Sequence, residues 1–419
     1  MMTMRMRTGT RVFDRSSRRG RPAQGGVIAV LLLGACLLFA NGASAQAPET
    51  GYDYTFGQVA RFSLTLPRDS SVRQATLYLQ TNDNRTVGFD TSVTEGQAEV
   101  TRNLVSEPLS PYAQITTWWG FTGGAGVPVE TEKVSFQYVD NRYAWQTAEG
   151  DNVVVHWVAG ERSLMVQAVD VAEAALTDFQ EALGTERPPS TDIYIYPSQS
   201  DLASAMQLAG FDWVGGVAYP ELGVVVVAIP STVEAPVAMQ QDIPHELTHR
   251  SLYAWLGPQG YASLPTWLNE GLAMAFEARP DPTRAVILQE ARHANAMIPL
   301  AELCLPFPED PQRAQLAYAQ SDRVVAYLRQ TYGWSGLRRL ILSYADGKAC
   351  SVGLQEGLGQ DLVAVDRAWQ LSLDQSQRPD ATSEPRTETS ALWRAAGPWL
   401  VLLAALLFPG LVLAASGRR

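Results

Sequence analysis

Two histidines four residues apart, with a glutamate directly after the first, constrain this 419-residue chain more than any other feature. The segment reads Pro244-His245-Glu246-Leu247-Thr248-His249-Arg250. On a helix, positions i and i+4 share a face about 5–6 Å apart, so both imidazoles can converge on one ion. Glu246, beside the first of them, is angled to reach a water on such an ion without binding the ion itself. The chain has only four histidines, so half of them fall at this one spacing. The plainer reading is an amphipathic helix with two surface histidines. Against it stand the continuous apolar run at residues 223–229, read as a preceding strand, and a third candidate ligand downstream.

That third candidate is Glu270, in Leu264-Pro265-Thr266-Trp267-Leu268-Asn269-Glu270-Gly271-Leu272-Ala273. Gly257-Pro258 is expected to stop the first helix, and Ser263-Leu264-Pro265 to start the next, since proline is tolerated in a first turn. Glu270 then lies on an antiparallel neighbour and can point back at the histidines. Two imidazoles and one carboxylate leave a fourth position open to water, which is the arrangement of a catalytic zinc ion. A structural zinc site would ordinarily be closed by four Cys or His ligands, and the sequence has no such set.

With these residues in view, the chain resembles the gluzincins of the peptidase MA superfamily, specifically bacterial secreted proteins with a peptidase MA-like domain. The likeness is carried by His245-Glu246-Leu247-Thr248-His249 and by Asn269-Glu270-Gly271-Leu272-Ala273. Ala317-Tyr318-Ala319-Gln320-Ser321, followed by the apolar residues 324–328, is a looser match, and the whole covers about residues 151–373. The resemblance implies Zn2+ held by His245, His249 and Glu270, Glu246 as general base, and a peptide or protein substrate. By analogy, Tyr318 is the first candidate for a donor to the oxyanion and His293 the second; a packed tyrosine and a surface histidine are the plain alternatives. An edge strand that pairs with substrate backbone is also implied, at residues 223–227. Two departures stand out. Met274 occupies the place where some gluzincins carry a carboxylate that orients a histidine, which leaves Asp242 or Asn269 for that task. The glycine-rich, acid-bearing motif of aminopeptidase relatives is not visible, which favours an endopeptidase. The rival reading is a catalytically inactive zincin-fold scaffold that binds through a β domain, and the intact Glu246 speaks against it.

The rest of the chain gives the frame. Residues 59–66, 75–80, 99–104 and 133–138 alternate apolar and polar, with turn residues such as Gly123 between strands, so residues 46–148 are expected to form a small β-sandwich. After Gly150 the texture changes. Strands are expected at 153–157, 191–196 and 223–229, helices at 163–183 and 201–208, and almost continuous helix from 235 to 373. The fold class is therefore α+β: a zincin-like peptidase domain at 149–373, with a mixed sheet and a helical subdomain, behind an all-β domain.

The two ends point to an address outside the cytoplasm. Seven arginines precede an apolar run at 27–40, and Ala43-Ser44-Ala45 fits a cleavage site, so residues 1–45 read as a signal peptide. A twin-arginine signal at Arg18-Arg19 and a lipoprotein box at Leu33-Gly34-Ala35-Cys36 are poorer fits. Residues 374–392 read as a flexible linker. Residues 393–415 read as a transmembrane helix, because 395–415 carry no charge and reach roughly 30 Å. Arg418-Arg419, in the tail 416–419, then belongs in the cytoplasm, and the ectodomain outside it. A cleaved sorting tail is the alternative. Cys304 and Cys350 remain as a candidate disulfide or as two buried thiols. The formal net charge is −11 although the leader is strongly basic, which argues against nucleic acid as a partner.

Overall fold

The computed structural model describes residues 47–375 apart from 83, 124–125 and 207–214. The expected leader at 1–45, most of the linker at 374–392, the segment 393–415 and the tail lie outside the described residues. Strands β1 (Glu49–Thr55) and β2 (Val59–Thr65) start the chain, followed by β3 (Gln74–Gln80), β4 (Thr86–Ser92) and β5 (Gln97–Asn103). Strands β6 (Gln114–Thr122), β7 (Pro128–Glu130) and β8 (Val134–Gln137) come next. They form two antiparallel sheets, in the order β1-β2-β5 and β4-β3-β6-β7, with β8 also paired to β6. Alternation decides which face goes inward. Ala60, Phe62 and Leu64 of β2, and Ala75, Leu77 and Leu79 of β3, are buried while their neighbours are not. At about 1.5–3 kcal/mol per large apolar side chain, this shared core is what holds the two sheets together.

A third sheet follows, built from β9 (Gln146–Glu149), β10 (Val153–Trp157), β11 (Thr191–Tyr196), β12 (Gly216–Tyr219) and β13 (Val224–Ala228). Its order is β12-β13-β11-β10-β9; the inner three strands are parallel, and β9 and β12 run antiparallel at the edges. Helix α1 (Arg162–Leu183) makes the crossover from β10 to β11 and ends at Gly184, whose φ of 60° is the left-handed cap that glycine adopts freely. Every residue of β13 is buried because both faces are covered. Val225 and Val227 pack with Ile193 and Ile195 toward α1 and α3 (Ala235–Ala262). On the other face, Val224, Val226 and Ala228 join Tyr194 and Tyr196 in the core of the first two sheets. The expected edge strand at 223–227 is therefore corrected: β13 is internal, and the edge is β12. The short helix α2 (Gln199–Met206) lies between β11 and β12 in sequence and adds Leu202, Ala205 and Met206 to the core shared with the β module.

From α3 onward the chain is helical, with α4 (Thr266–Phe276), α5 (Thr283–His293), α6 (Leu300–Leu303), α7 (Pro311–Ala345), α8 (Cys350–Leu358) and α9 (Leu362–Gln375). Gly257 (φ 71°) interrupts α3, so that two helices meet at the Gly257-Pro258 pair expected to stop the first, and Gly333 (φ 66°) interrupts α7 in the same way. Trp267, Leu268 and Leu272 of α4 pack on Val324, Val325 and Leu328 of α7. A disulfide joins Cys304, after α6, to Cys350, the first residue of α8.

The expected location, a single-pass membrane protein with its ectodomain outside the cytoplasm, is corrected. Among the described residues no helix is long and apolar enough to cross a membrane. The longest two, α3 and α7, are interrupted by charges, including Asp242, Glu246 and Arg250 in one and Asp322, Arg323 and Arg329 in the other. No described element supplies the span.

Candidate metal centre

His245, Glu246 and His249 lie near the middle of α3, and a proline there organises more than its own turn. Pro244 has no N–H, so the carbonyl of Gln240, one turn earlier, is left without its helical donor. The backbone N–H of Ala278 takes that place at 3.0 Å. This ties the end of α4 to α3 and brings Glu277, the residue before Ala278, beside His245. Thr248 closes the same turn by donating its hydroxyl to the Pro244 carbonyl at 2.8 Å.

Glu270 comes from α4, and Gly271 lets that helix approach α7. A Cβ at Gly271 would stand 2.4 Å from Val325 and 2.6 Å from the backbone oxygen of Ser321, closer than real contacts allow. The Glu270 Oε2 lies 3.4 Å from His245 Nε2 and 3.7 Å from His249 Nε2. One donor atom from each of the three residues falls within 4.8 Å of the others. Ligands bonded to zinc at about 2.0–2.1 Å in a tetrahedron sit roughly 3.3 Å apart, so the donor set fits that ion.

The far nitrogens set the tautomers. His245 Nδ1 lies 3.1 Å from Glu277 Oε1, and a carboxylate only accepts, so that nitrogen carries the proton. His249 Nδ1 lies 3.1 Å from Asn269 Oδ1, while the Asn269 amide donates to Tyr261 Oη at 3.2 Å. Both Nε2 atoms then point toward Glu270, the side on which a metal would be held. Arg284 donates to the second oxygen of Glu277, which holds that carboxylate in place.

Burial and crowding of negative charge dominate the electrostatics. Burial pushes Glu246 up to about 8, with His245 opposing and Glu270 and Asp242 adding to the rise. Asp242 is pushed up to about 6, again chiefly by burial. Burial also works against the charge on Glu270, yet His249 and His245 hold its carboxyl below the usual range. His249 is lowered by burial, whereas His245 is raised well above its ordinary value despite burial, because Glu270 and Glu277 bond to it. A divalent cation among these carboxylates relieves their mutual repulsion, which is a second sign of fit.

The cavity at this centre has about 350 Å3, and Tyr318 of α7 lines it together with Glu246 and Glu270. Its phenol is raised by burial and by those two carboxylates, so it stays protonated and can donate. His293, in contrast, is exposed at the end of α5 and does not line the cavity. Strand β12 forms the remaining wall. A Cβ at Gly216 would stand 2.8 Å from the Glu246 side chain, so only glycine lets the strand come this close. The Ala218 N–H bonds to the Glu246 carboxylate.

The geometry thus brings His245, Glu246, His249, Glu270 and Tyr318 around one cavity. Asn269 holds a histidine as the sequence suggested; Asp242 lines the cavity without bonding to one. Sequence reasoning missed Glu277 and Arg284. The signal for Glu277 was its place seven residues after Glu270, two turns along the same helix face. It takes the orienting position for which Met274 is unsuited.

Residues 171–375 match the family model of the Peptidase MA superfamily. This part of the chain is a Peptidase MA superfamily domain. The match runs from within α1 to the end of α9 and so includes the whole centre. Among solved structures, an M1 zinc metallopeptidase from Deinococcus radiodurans is similar at 13% identity, covering 78% of this chain and 93% of that one, with a TM-score of 0.35. An aminopeptidase N family protein from Idiomarina loihiensis is similar at 10% identity, covering 75% of each chain, with a TM-score of 0.37. At these scores neither likeness bears on the chemistry of the Peptidase MA domain here. No curated protein sequence matches the chain.

Proposed function

We propose that the chain is a zinc-dependent peptidase of gluzincin type, with His245, His249 and Glu270 as ligands and Glu246 as general base. The observation that carries this reading is the convergence of the three donor atoms beside a buried, oriented Glu246. Zinc held there supplies a Lewis acid that acidifies water and polarises the scissile carbonyl. Glu246 takes the proton from the attacking water and returns it to the leaving amine. The Ala218 N–H keeps the Glu246 carboxylate aimed into the cavity. Tyr318 donates its hydroxyl to the developing oxyanion. Glu277 and Asn269 fix the two imidazoles, which lowers the reorganisation needed when the metal binds. We retain the division into a β domain at 46–148 and a peptidase domain at 149–373 as part of this reading.

The test is digestion of a peptide library by the purified protein, with and without a chelator. Cleavage that stops with chelator, returns with zinc and is absent in Glu246→Gln supports the reading. Cleavage that survives in Glu246→Gln contradicts the role of the base.

A further inference from the structure

Strand β12 has one neighbour, β13, and its other edge has no strand partner among the described residues. The register shows which groups face that edge. Gly216 pairs with Val227 and Ala218 with Val225, while the Ala228 N–H bonds to the Gly215 carbonyl at 2.9 Å. In an antiparallel pair the bonded positions alternate, so Gly215, Val217 and Tyr219 bond inward. Gly216 and Ala218 therefore turn their N–H and C=O groups to the open edge. The Ala218 N–H reaching Glu246 agrees with that phase. With the Ala218 N–H held by Glu246, the N–H and C=O of Gly216 and the C=O of Ala218 are the backbone groups this edge offers a peptide beside the metal centre.

Beyond Ala218 the edge leads into a groove of about 940 Å3 between the β module and the catalytic half. Leu79, Val87 and Phe89 from β3 and β4 form one wall; Tyr219, Leu222 and Tyr253 form the other. The groove adjoins the centre in two places. Tyr253 stands four residues, about one helical turn, after His249 on α3, about 6 Å along the axis. Its ring also packs at 5.7 Å against Tyr261, which lines the metal cavity. Beside these apolar and aromatic side chains the lining carries Thr81, Asn82, Arg85, Ser110 and Glu221. Arg102, which also lines the groove, pairs with Glu107 at 2.7 Å and lies over the Phe89 ring.

We infer that this groove is a distal substrate subsite, holding an extended, apolar stretch of polypeptide that continues past the residues paired with β12. The inference rests on the peptidase reading above and deepens it. A substrate that fills the groove reaches several residues beyond the bond that is cut, so internal bonds of an unfolded or extended chain are the target. The β module thereby selects substrate rather than acting only as a spacer.

The test compares two fluorogenic peptides that share one cleavable core. One has about six residues; the other is extended by about six more, rich in Leu and Phe, enough to span roughly 20 Å of extended chain. The expected kcat/KM of the long peptide exceeds that of the short one by tenfold or more. Val87 is 37% exposed on β4, so Val87→Glu and Val87→Lys keep the fold, as a thermal melt verifies. Both substitutions should bring the long-to-short ratio close to one. Equal kcat/KM for the two peptides, or a ratio that neither substitution changes, overturns the subsite. If neither peptide is cut, the peptidase reading has failed, and the groove is judged by fluorescence anisotropy of the labelled long peptide on chelator-treated protein. Binding that Val87→Glu abolishes supports the groove; absence of binding overturns it.

Discussion

Replacing Glu277 isolates the part of the metal centre that is not a ligand. In Glu277→Ala, His245 Nδ1 loses the acceptor now 3.1 Å away, and Arg284 loses the carboxylate it donates to. His245 is then free to rotate or to present the wrong tautomer to the metal. Loss of such an orienting partner typically costs 10–100-fold in metal affinity, or about 1.4–2.7 kcal/mol. Glu277→Gln should cost less, because an amide oxygen still accepts from Nδ1 although the charge is gone. Asn269→Ala, acting on His249 in the same way, gives a matched comparison. Zinc affinity is measured by competition against a chromogenic chelator, with circular dichroism to verify that each variant is folded. The expected order of affinity is wild type, Glu277→Gln, Glu277→Ala, with a stoichiometry near one zinc throughout. A folded Glu277→Ala that binds zinc within twofold of wild type would refute the reasoning.

Other outcomes follow from the same geometry. Tyr318→Phe should lower kcat by roughly 10²–10³ with little change in KM, since the hydroxyl acts on charge that develops in the transition state; an unchanged kcat removes Tyr318 from the reaction. Gly271→Ala should weaken zinc binding and lower thermal stability together, because the new methyl pushes α4, and Glu270 with it, away from α7; unaltered values in both assays contradict that packing. Asp242 has a folded pKa of about 6 against 3.8 when unperturbed, so its contribution to stability is full below pH 3.8 and is lost as pH rises to 6. Asp242→Asn should therefore stabilise the chelator-treated protein at pH 7.5, by on the order of 2 kcal/mol, and far less at pH 4. Denaturant titrations at both pH values check the sign. Reduction of the disulfide between Cys304 and Cys350, which are 46 residues apart, should cost about 4 kcal/mol in the chain-entropy picture. The midpoint of unfolding with and without reductant measures it.

The parts of the fold that could be read in the sequence were those whose pattern is local. The alternating segments became β2, β3, β5 and β8, and the strands expected at 153–157, 191–196 and 223–229 became β10, β11 and β13. Strand β4 escaped notice because most of its residues stay exposed, so no apolar period marks it. Strand β12 escaped because it has four residues and opens with glycine, yet it forms the edge beside the metal centre. The misplaced edge at 223–227 has the same origin: an apolar run marks burial on both faces, which is the property of a central strand. Gly257-Pro258 read as a helix end because each residue disfavours a helix, and the non-helical backbone at Gly257 does divide α3 there. The core shared by the β module with Tyr194, Tyr196 and Val226 depends on long-range contacts that no local pattern encodes. In the centre itself, the spacing of His245 and His249 was legible because a helix turns spacing directly into geometry. Glu277 was not, because its position depends on a carbonyl that Pro244 leaves open in another helix.

Anomalous scattering measured on either side of the zinc absorption edge, from crystals of the protein grown with zinc, tests the central claim most directly. One peak is expected about 2.0–2.2 Å from His245 Nε2, His249 Nε2 and a Glu270 oxygen, with Glu246 and Glu277 outside bonding distance. No peak at this centre, or a peak bonded to Glu277 in place of Glu270, would contradict it.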